Sequence, residues 1–255
     1  MNAQEWYLFD LQGYLVLENV LTAAQLDALN AELDRQIAAV SAPVNAPVNA
    51  PVNAPDRTWF RWDGLLPWGP PFQALIDLPP LMPYLKILLG EGFRLDHDYT
   101  HVIRQGSGPI GTRLHGGGTP YDPCQYYHVH NGRMYNGLTA VAYELRDVRP
   151  GEGGFACIPG SHKSNAPFPD EWRDLENPPA CMQPVAVSAG SAILFTEALT
   201  HGTLPWRGQG ERRTLFYKYS PRSNAWARSL YNPDEFPSLT EAQRRLLLSP
   251  GVYPY

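Results

Sequence analysis

The sequence predicts a mostly β protein of the sandwich or jelly-roll type, with α-helices flanking the β core. Short β-prone stretches alternate with Gly/Pro turns from residue 93 onward. The chain contains 22 Gly and 26 Pro, which favours many turns and therefore short strands. With 255 residues, 44% of them hydrophobic, it can form one sizeable core, so we expect a single domain spanning 1–255.

The predicted helices lie at both ends of the chain. Thr22 and Gln25 form a capping box, and leucines at helical spacing predict a helix over Ala23–Val40. A second helix is predicted over Leu81–Leu89, and a second capping box starts a short helix that runs through Leu248.

The predicted strands begin near the N-terminus and then fill the second half of the chain. They are Gly13–Leu17, Phe93–Arg104, Gly111–Leu114, Tyr135–Leu145, Phe155–Ile158, Met182–Val187, Ala192–Thr196 and Thr214–Tyr219. Between the first helix and this region, residues 42–55 repeat Ala-Pro-Val-Asn three times and end in Ala-Pro. Proline at every fourth position excludes a helix, and we interpret the segment as a Pro-rich surface loop rather than a recognition arm.

Charge and cysteine content narrow the functional classes. The net charge is −5 and no block of like charge occurs, so neither a nucleic-acid polymer nor a membrane surface is an expected partner. No apolar run approaches the roughly 20 residues that span a bilayer. Three widely spaced cysteines without a Cys-x-x-Cys pair favour the reducing cytoplasm. No feature indicates an obligatory protein partner, which leaves a small-molecule substrate.

Two histidines have neighbours that suggest chemistry. His201 follows a predicted strand, and Arg212 opens the next strand with Thr214 on the same face. An arginine fork can bind a carboxylate through two hydrogen bonds, so this pair of strands can hold a metal beside a dicarboxylate. His115 follows another short strand and precedes three glycines, which form either a simple turn or open space beside a metal.

The chain resembles the phytanoyl-CoA dioxygenase-like family over most of its length outside residues 42–55. The resemblance rests on the opening segment 9–21, on Gly153-Gly154 and Pro159-Gly160-Ser161-His162, and on His201 followed by Arg212-Arg213-Thr214. It implies a double-stranded β-helix (jelly roll, cupin-like) that uses Fe(II), 2-oxoglutarate and O2. His115 and His201 would be the metal ligands, Arg212 and Thr214 would bind 2-oxoglutarate, and Thr139 would help to orient it.

The sequence departs from this family at the third metal ligand. The family pattern is His-x-Asp, but here His115 is followed by Gly116 and Gly117, and residues i and i+2 of an extended segment face the same way. His-x-Gly resembles the halogenases of this class, in which chloride or bromide takes the vacant position at Gly117. We therefore expect a halogenase that acts on an unactivated C–H bond of a freestanding small metabolite, a nucleotide being one candidate, in natural-product biosynthesis.

Two alternatives remain open from the residues alone. A carboxylate from elsewhere, Glu197 or Asp122, would make the protein a hydroxylase; Glu197 is disfavoured because four extended residues span about 13 Å. Without iron, the protein would be a jelly-roll binding module. The candidates for the substrate pocket are His130, Arg133, Asn136, Trp206 and Arg222. The pair of imidazoles in His128-Val129-His130 is interpreted as pocket wall or surface rather than as a metal site.

Overall fold

The computed structural model describes residues 1–41, 58–106, 110–116 and 122–251. The whole Pro-rich segment 42–55, and Gly117, therefore lie outside the described residues. The helices are α1 (Ala3–Gln12), α2 (Ala23–Ser41), α3 (Pro70–Gln73), α4 (Met82–Leu89) and α5 (Glu241–Leu246). The strands are β1 (Tyr14–Leu17), β2 (Trp59–Asp63), β3 (Arg94–Arg104), β4 (Ile110–His115), β5 (Tyr127–His130), β6 (Arg133–Asn136), β7 (Thr139–Glu144), β8 (Gly154–Cys157), β9 (Gln183–Pro184), β10 (Ala192–Thr196), β11 (His201–Leu204) and β12 (Glu211–Ser220).

Two antiparallel sheets pack face to face, which confirms the predicted mostly β fold with flanking helices. Within the described residues, the major sheet has the order β1-β10-β7-β12-β3-β2 and the minor sheet the order β4-β11-β8-β9. One hydrophobic cluster joins the facing surfaces, with Phe155 and Cys157 of the minor sheet against Phe195 and Phe216 of the major sheet. This arrangement is the double-stranded β-helix.

The helices cover the outer face of the major sheet. Side chains alternate along a strand, so Leu215, Tyr217 and Tyr219 point away from the minor sheet. They pack in one buried cluster with leucines of α2 and α4, including Leu29 and Leu85. Among the described residues, no helix combines the length and apolarity needed to cross a bilayer.

The predicted strand Tyr135–Leu145 is wrong in its extent, because a break at Gly137 divides it into two strands. A Cβ at Gly137 would lie 2.2 Å from the carbonyl oxygen of Cys124, so only glycine allows this approach. Residues before the break belong to the β5–β6 hairpin, and residues after it form β7 in the centre of the major sheet. The predicted strand over Met182–Val187 likewise shortens to the two residues of β9.

His162 links the Pro-Gly-Ser-His motif to the end of α1, and its burial makes stability depend on pH. Its Nε2 donates to the carbonyl oxygen of Asp10 at 3.1 Å, and only 2% of the residue is exposed. Burial lowers the pKa of His162 to about 4, whereas an unfolded histidine titrates near 6.5. Below pH 6.5 the unfolded chain therefore binds a proton that the native chain does not.

We expect His162 to reduce the free energy of unfolding by up to about 1.4 kcal/mol per pH unit as the pH falls from 6.5 towards 4. Urea denaturation at several pH values measures this slope, and His162→Gln should make it shallower. His130→Gln, at an exposed hairpin position, is the matched control and should leave the slope as it is. An unchanged slope in His162→Gln would contradict the assignment.

Candidate metal centre

His115 and His201 lie side by side at the ends of adjacent strands of the minor sheet. They are direct partners across β4 and β11, and their ring centroids are 4.2 Å apart. His201 is buried, while His115 is exposed. The structure thus brings together the two histidines that the sequence singled out as metal ligands.

A carboxylate joins the two histidines. Glu197 Oε2 lies 3.9 Å from His201 Nε2, and one ligand atom from each of His115, Glu197 and His201 lies within 4.8 Å of the others. The expectation that Glu197 is too far along an extended chain is wrong, because residues 196–200 form a turn: the Leu199 N–H donates to the carbonyl oxygen of Thr196 at 2.9 Å. Two imidazoles and one carboxylate therefore converge.

Two neighbours hold this turn in place. The Thr200 N–H donates to Ser161 Oγ at 2.7 Å, so the serine of the Pro-Gly-Ser-His motif supports the residue before His201. On the other side lies Gly116, with φ +82°, where a Cβ would be 2.3 Å from the carbonyl oxygen of Leu199 and 2.7 Å from that of Glu197. The glycine after His115 is thus required for the close approach that sets Glu197 beside the histidines.

The protonation states suit a cation. His201 Nδ1 lies 2.7 Å from the carbonyl oxygen of Leu199; since a carbonyl only accepts, Nδ1 carries the proton and Nε2 keeps its lone pair. Burial lowers the pKa of His201 to about 3. Burial alone would raise the pKa of Glu197, but the ammonium group of Lys218 lowers it to about 2. A neutral imidazole and a carboxylate anion therefore face each other.

A second polar group lies at the start of β12, on the inner face of the major sheet. Arg212 is buried and pairs with Glu144 through Nη2, while its Nε and Nη1 have no partner among the described residues. The Thr214 hydroxyl donates to the other oxygen of Glu144 at 2.8 Å. A Cβ at Gly154 would lie 3.1 Å from Arg212 Nε, so this glycine makes room for the guanidinium. Arg213 points to the opposite face and contacts Asp34 of α2.

Comparison with known proteins identifies the segment that carries these groups. Residues 111–214 match the family model described as phytanoyl-CoA dioxygenase (PhyH). The matched segment contains His115, Glu197, His201, Arg212 and Thr214. Over this segment, the chain is similar to PhyH.

Solved structures share the fold of this protein. HygX from Streptomyces hygroscopicus, with nickel and 2-oxoglutarate bound, is 24% identical with a TM-score of 0.75, over 90% of this chain and 91% of HygX. The epimerase SnoN from nogalamycin biosynthesis is 17% identical with a TM-score of 0.58, over 85% of this chain and 81% of SnoN. The carbocyclase SnoK of the same biosynthesis is 15% identical with a TM-score of 0.60, over 88% of this chain and 85% of SnoK.

Other predicted site residues lie elsewhere in the structure. Thr139 pairs with Tyr219 across β7 and β12, on the outer face with Val141, and its hydroxyl donates to the carbonyl oxygen of Gly137; the structure does not bring it to Arg212. Asp122 Oδ1 accepts from the backbone N–H groups of Cys124 and Gln125 in a local turn.

The predicted substrate residues are dispersed over the structure. His130 and Arg133 are exposed on the β5–β6 hairpin. Asn136 is buried and donates to the carbonyl oxygen of Leu88, while Trp206 is buried in the core between the sheets. Arg222 packs against Gly92. Basic or aromatic character alone did not identify pocket residues, because these side chains lie on separate surfaces or in the core.

Sequence reasoning missed two buried residues on the inner face. Lys218 donates to Glu197 Oε1 at 2.6 Å, and both side chains are buried. His101 is the partner of Thr214 across β3 and β12, and both its ring nitrogens lack a partner among the described residues. The alternation of side chains along a strand could have identified Lys218, because it lies six residues after Arg212 on the same strand and therefore on the same face.

A surface cavity of about 420 Å³ lies next to this inner face. His97, which lines the cavity, is the partner of Lys218 across β3 and β12. The exposed indole of Trp226 stacks on His97 with ring centroids 5.0 Å apart. Arg61 and Asp63 form an ion pair at the rim, 2.6 Å apart. The cavity thus combines an aromatic surface with charged groups beside the pair Lys218–Glu197.

Proposed function

We propose that this protein is an Fe(II)/2-oxoglutarate-dependent hydroxylase of a small molecule, within one domain spanning 1–255. The observation that carries the proposal is the convergence of His115, Glu197 and His201 within 4.8 Å. Two histidines and one carboxylate are the donor set of non-haem iron(II) oxygenases, and they leave coordination positions open. Bound iron would supply the oxidising power by coupling the oxidative decarboxylation of 2-oxoglutarate by O2 to attack on a substrate C–H bond.

The residues around the centre have distinct roles in this proposal. His201 presents Nε2 because its Nδ1 is held by the carbonyl oxygen of Leu199, and Glu197 presents Oε2 because its Oε1 is held by Lys218. Arg212 keeps unpartnered N–H donors at Nε and Nη1, from which it would donate a charge-assisted hydrogen bond to the distal carboxylate of 2-oxoglutarate. The facing sheets bury Phe155 and Phe195 beside His201 and so limit access of water.

The substrate would enter through the cavity at His97 and Trp226. HygX is described with hygromycin B bound and SnoN with nogalamycin RO bound, so proteins of this fold bind antibiotics. An exposed indole offers an apolar surface for a ring, and the rim pair of Arg61 and Asp63 offers hydrogen bonds to hydroxyl or amino groups. We therefore favour a polyhydroxylated or glycosylated natural product as the substrate, in preference to a nucleotide.

Halogenation is the second candidate, and the feature that favours it is Gly117 at the place of the His-x-Asp carboxylate. In that case chloride or bromide would occupy a metal position and Glu197 would serve only as the partner of Lys218. Hydroxylation is preferred because Glu197 offers a carboxylate oxygen at the site, so that a halide is not needed to complete the donor set.

The experiment that tests the function has two stages. Anaerobic addition of Fe(II) and then 2-oxoglutarate to the protein should produce a visible charge-transfer band; a correctly folded protein without the band would contradict the enzyme assignment. Candidate aminoglycosides and glycosylated polyketides are then screened for O2-dependent succinate release in chloride and bromide. The expected product, measured by mass spectrometry, gains one oxygen in both salts. A product that carries the halogen would instead establish the halogenase.

A further inference from the structure

The buried arginine that is proposed to bind 2-oxoglutarate already has a carboxylate as its partner. Arg212, the residue expected to hold a carboxylate of 2-oxoglutarate, is already paired with Glu144, and both side chains are only 1% exposed. Both oxygens of Glu144 accept hydrogen bonds, one from Arg212 and one from Thr214. This carboxylate therefore cancels the charge of the guanidinium before any ligand arrives.

A second buried cation lies on the same face of β12. Lys218 holds Glu197 Oε1 at 2.6 Å, and its side chain is 8% exposed. Its ammonium group also lies 5.4 Å from the centre of the Tyr99 ring. Between Arg212 and Lys218 along the strand, the inner positions are Thr214 and Phe216, which are neutral.

The charges can be summed over the buried groups that face this site. Glu144 and Glu197 contribute two negative charges, and Arg212 and Lys218 contribute two positive charges. The histidines add no charge to this sum: a histidine that binds a metal does so as a neutral ring, and His201 offers Nε2 because its Nδ1–H is held by the carbonyl oxygen of Leu199. Buried His101 has no hydrogen-bond partner among the described residues at either ring nitrogen. A divalent cation and a dicarboxylate dianion then load the site without leaving a net charge. Without Lys218, the loaded site would carry one uncompensated negative charge in a poorly solvated environment.

We propose that Lys218 is the positive charge that balances the dianionic co-substrate in the loaded site, because Glu144 has neutralised Arg212. The proposal rests on the proposed function. Lys218 is a positioning residue: it acts through Glu197 and through its field, and it does not itself bind the reacting atoms. Its positive charge attracts the dianion and repels the divalent cation. Removing this charge should therefore lower the affinity for 2-oxoglutarate without lowering the affinity for the metal.

The test measures binding by calorimetry, with Co(II) as the metal and 2-oxoglutarate as the second ligand, in the absence of turnover. In Lys218→Met, saturated with Co(II), 2-oxoglutarate should bind about tenfold more weakly than in the wild type. Co(II) itself should bind at least as tightly as in the wild type, because the ammonium group no longer opposes it. Lys218→Arg keeps the charge and should keep 2-oxoglutarate affinity close to that of the wild type.

Each other result decides against either this proposal or the proposed function. Equal weakening of Co(II) and 2-oxoglutarate in Lys218→Met would mean that Lys218 only orients Glu197, and unchanged 2-oxoglutarate affinity would mean that its charge is not used; either overturns the proposal. Failure of the wild type to bind Co(II) and 2-oxoglutarate would overturn the proposed function instead. If Lys218→Met does not fold, Glu144→Gln decides: it removes a buried negative charge and should tighten 2-oxoglutarate binding, whereas weaker binding would overturn the charge balance.

Discussion

Replacing Glu197 by Gln is expected to weaken Co(II) binding by more than about 100-fold. Loss of a residue that only supports a metal ligand commonly costs about 10–100-fold in metal affinity, and Glu197 supplies a ligand atom directly. Glutamine has nearly the same shape and can still accept from Lys218, so the variant removes the charge and leaves the turn over residues 196–200 in place. Calorimetric titration with Co(II) measures the loss, and the d–d spectrum shows whether the remaining coordination changes.

The matched control for Glu197 is Asp122→Asn, which removes the other carboxylate that the sequence offered. Asp122 accepts from two backbone N–H groups in a local turn, so its replacement should leave Co(II) affinity within about twofold of the wild type. Co(II) affinity that survives in Glu197→Gln would remove Glu197 from the ligand set and leave the halide hypothesis as the better explanation of Gly117.

The Glu197→Gln variant also offers a rescue experiment. Gly117→Asp in the Glu197→Gln background recreates the His-x-Asp pattern after His115 and restores the count of one carboxylate. Co(II) binding should then recover in part. Recovery would show that, in the wild type, Glu197 supplies the carboxylate that residue 117 lacks. The double variant must be compared with Gly117→Asp alone, because an aspartate beside an intact Glu197 adds a second carboxylate to the same centre.

The sequence was sufficient to predict the fold class and the strand face of Arg212, since both depend on local patterns; the metal-binding role of His115 and His201 stays a prediction. Strand alternation places Arg212 and Thr214 on one face and Arg213 on the other, which the contacts of Glu144 and Asp34 confirm. The Pro-Gly-Ser-His motif was recognised, but its contact with the turn before His201 depends on a hydrogen bond between residues 39 positions apart.

The proximity of Glu197 to His115 and His201 could not be predicted, because it depends on how the chain turns before His201. The 13 Å estimate for Glu197 assumed an extended chain, whereas the Leu199 N–H donates to the carbonyl oxygen of Thr196 and the chain reverses direction there. Lys218 had no local signal beyond its parity on β12, and its partner Glu197 is 21 residues away in sequence. A positively charged residue in the middle of an apolar strand is costly unless it is paired, and this argument applied to Lys218 would have pointed to a buried carboxylate.

Replacing Arg212 by Met is expected to impair both folding stability and 2-oxoglutarate binding. Removing one partner of a buried ion pair leaves the other charge uncompensated, which lowers the free energy of unfolding by about 3–5 kcal/mol. Here the uncompensated charge is Glu144, with 0% of the residue exposed. The variant should therefore unfold at lower urea concentration, and the folded fraction should lose the N–H donor that is proposed to bind the distal carboxylate.

Arg213→Met is the adjacent control, because it changes the same residue type on the opposite face. Arg213 pairs with Glu211 and Asp34, on the outer face of the major sheet. Because it lies on the face opposite to Arg212, its replacement should reduce stability while the Co(II)-loaded protein keeps wild-type affinity for 2-oxoglutarate. Arg212→Met combined with Glu144→Gln separates the two effects of Arg212: the double variant has no unpaired buried carboxylate, so stability should return while 2-oxoglutarate affinity stays low. If affinity returns together with stability, Arg212 has a structural role and the distal carboxylate is bound elsewhere.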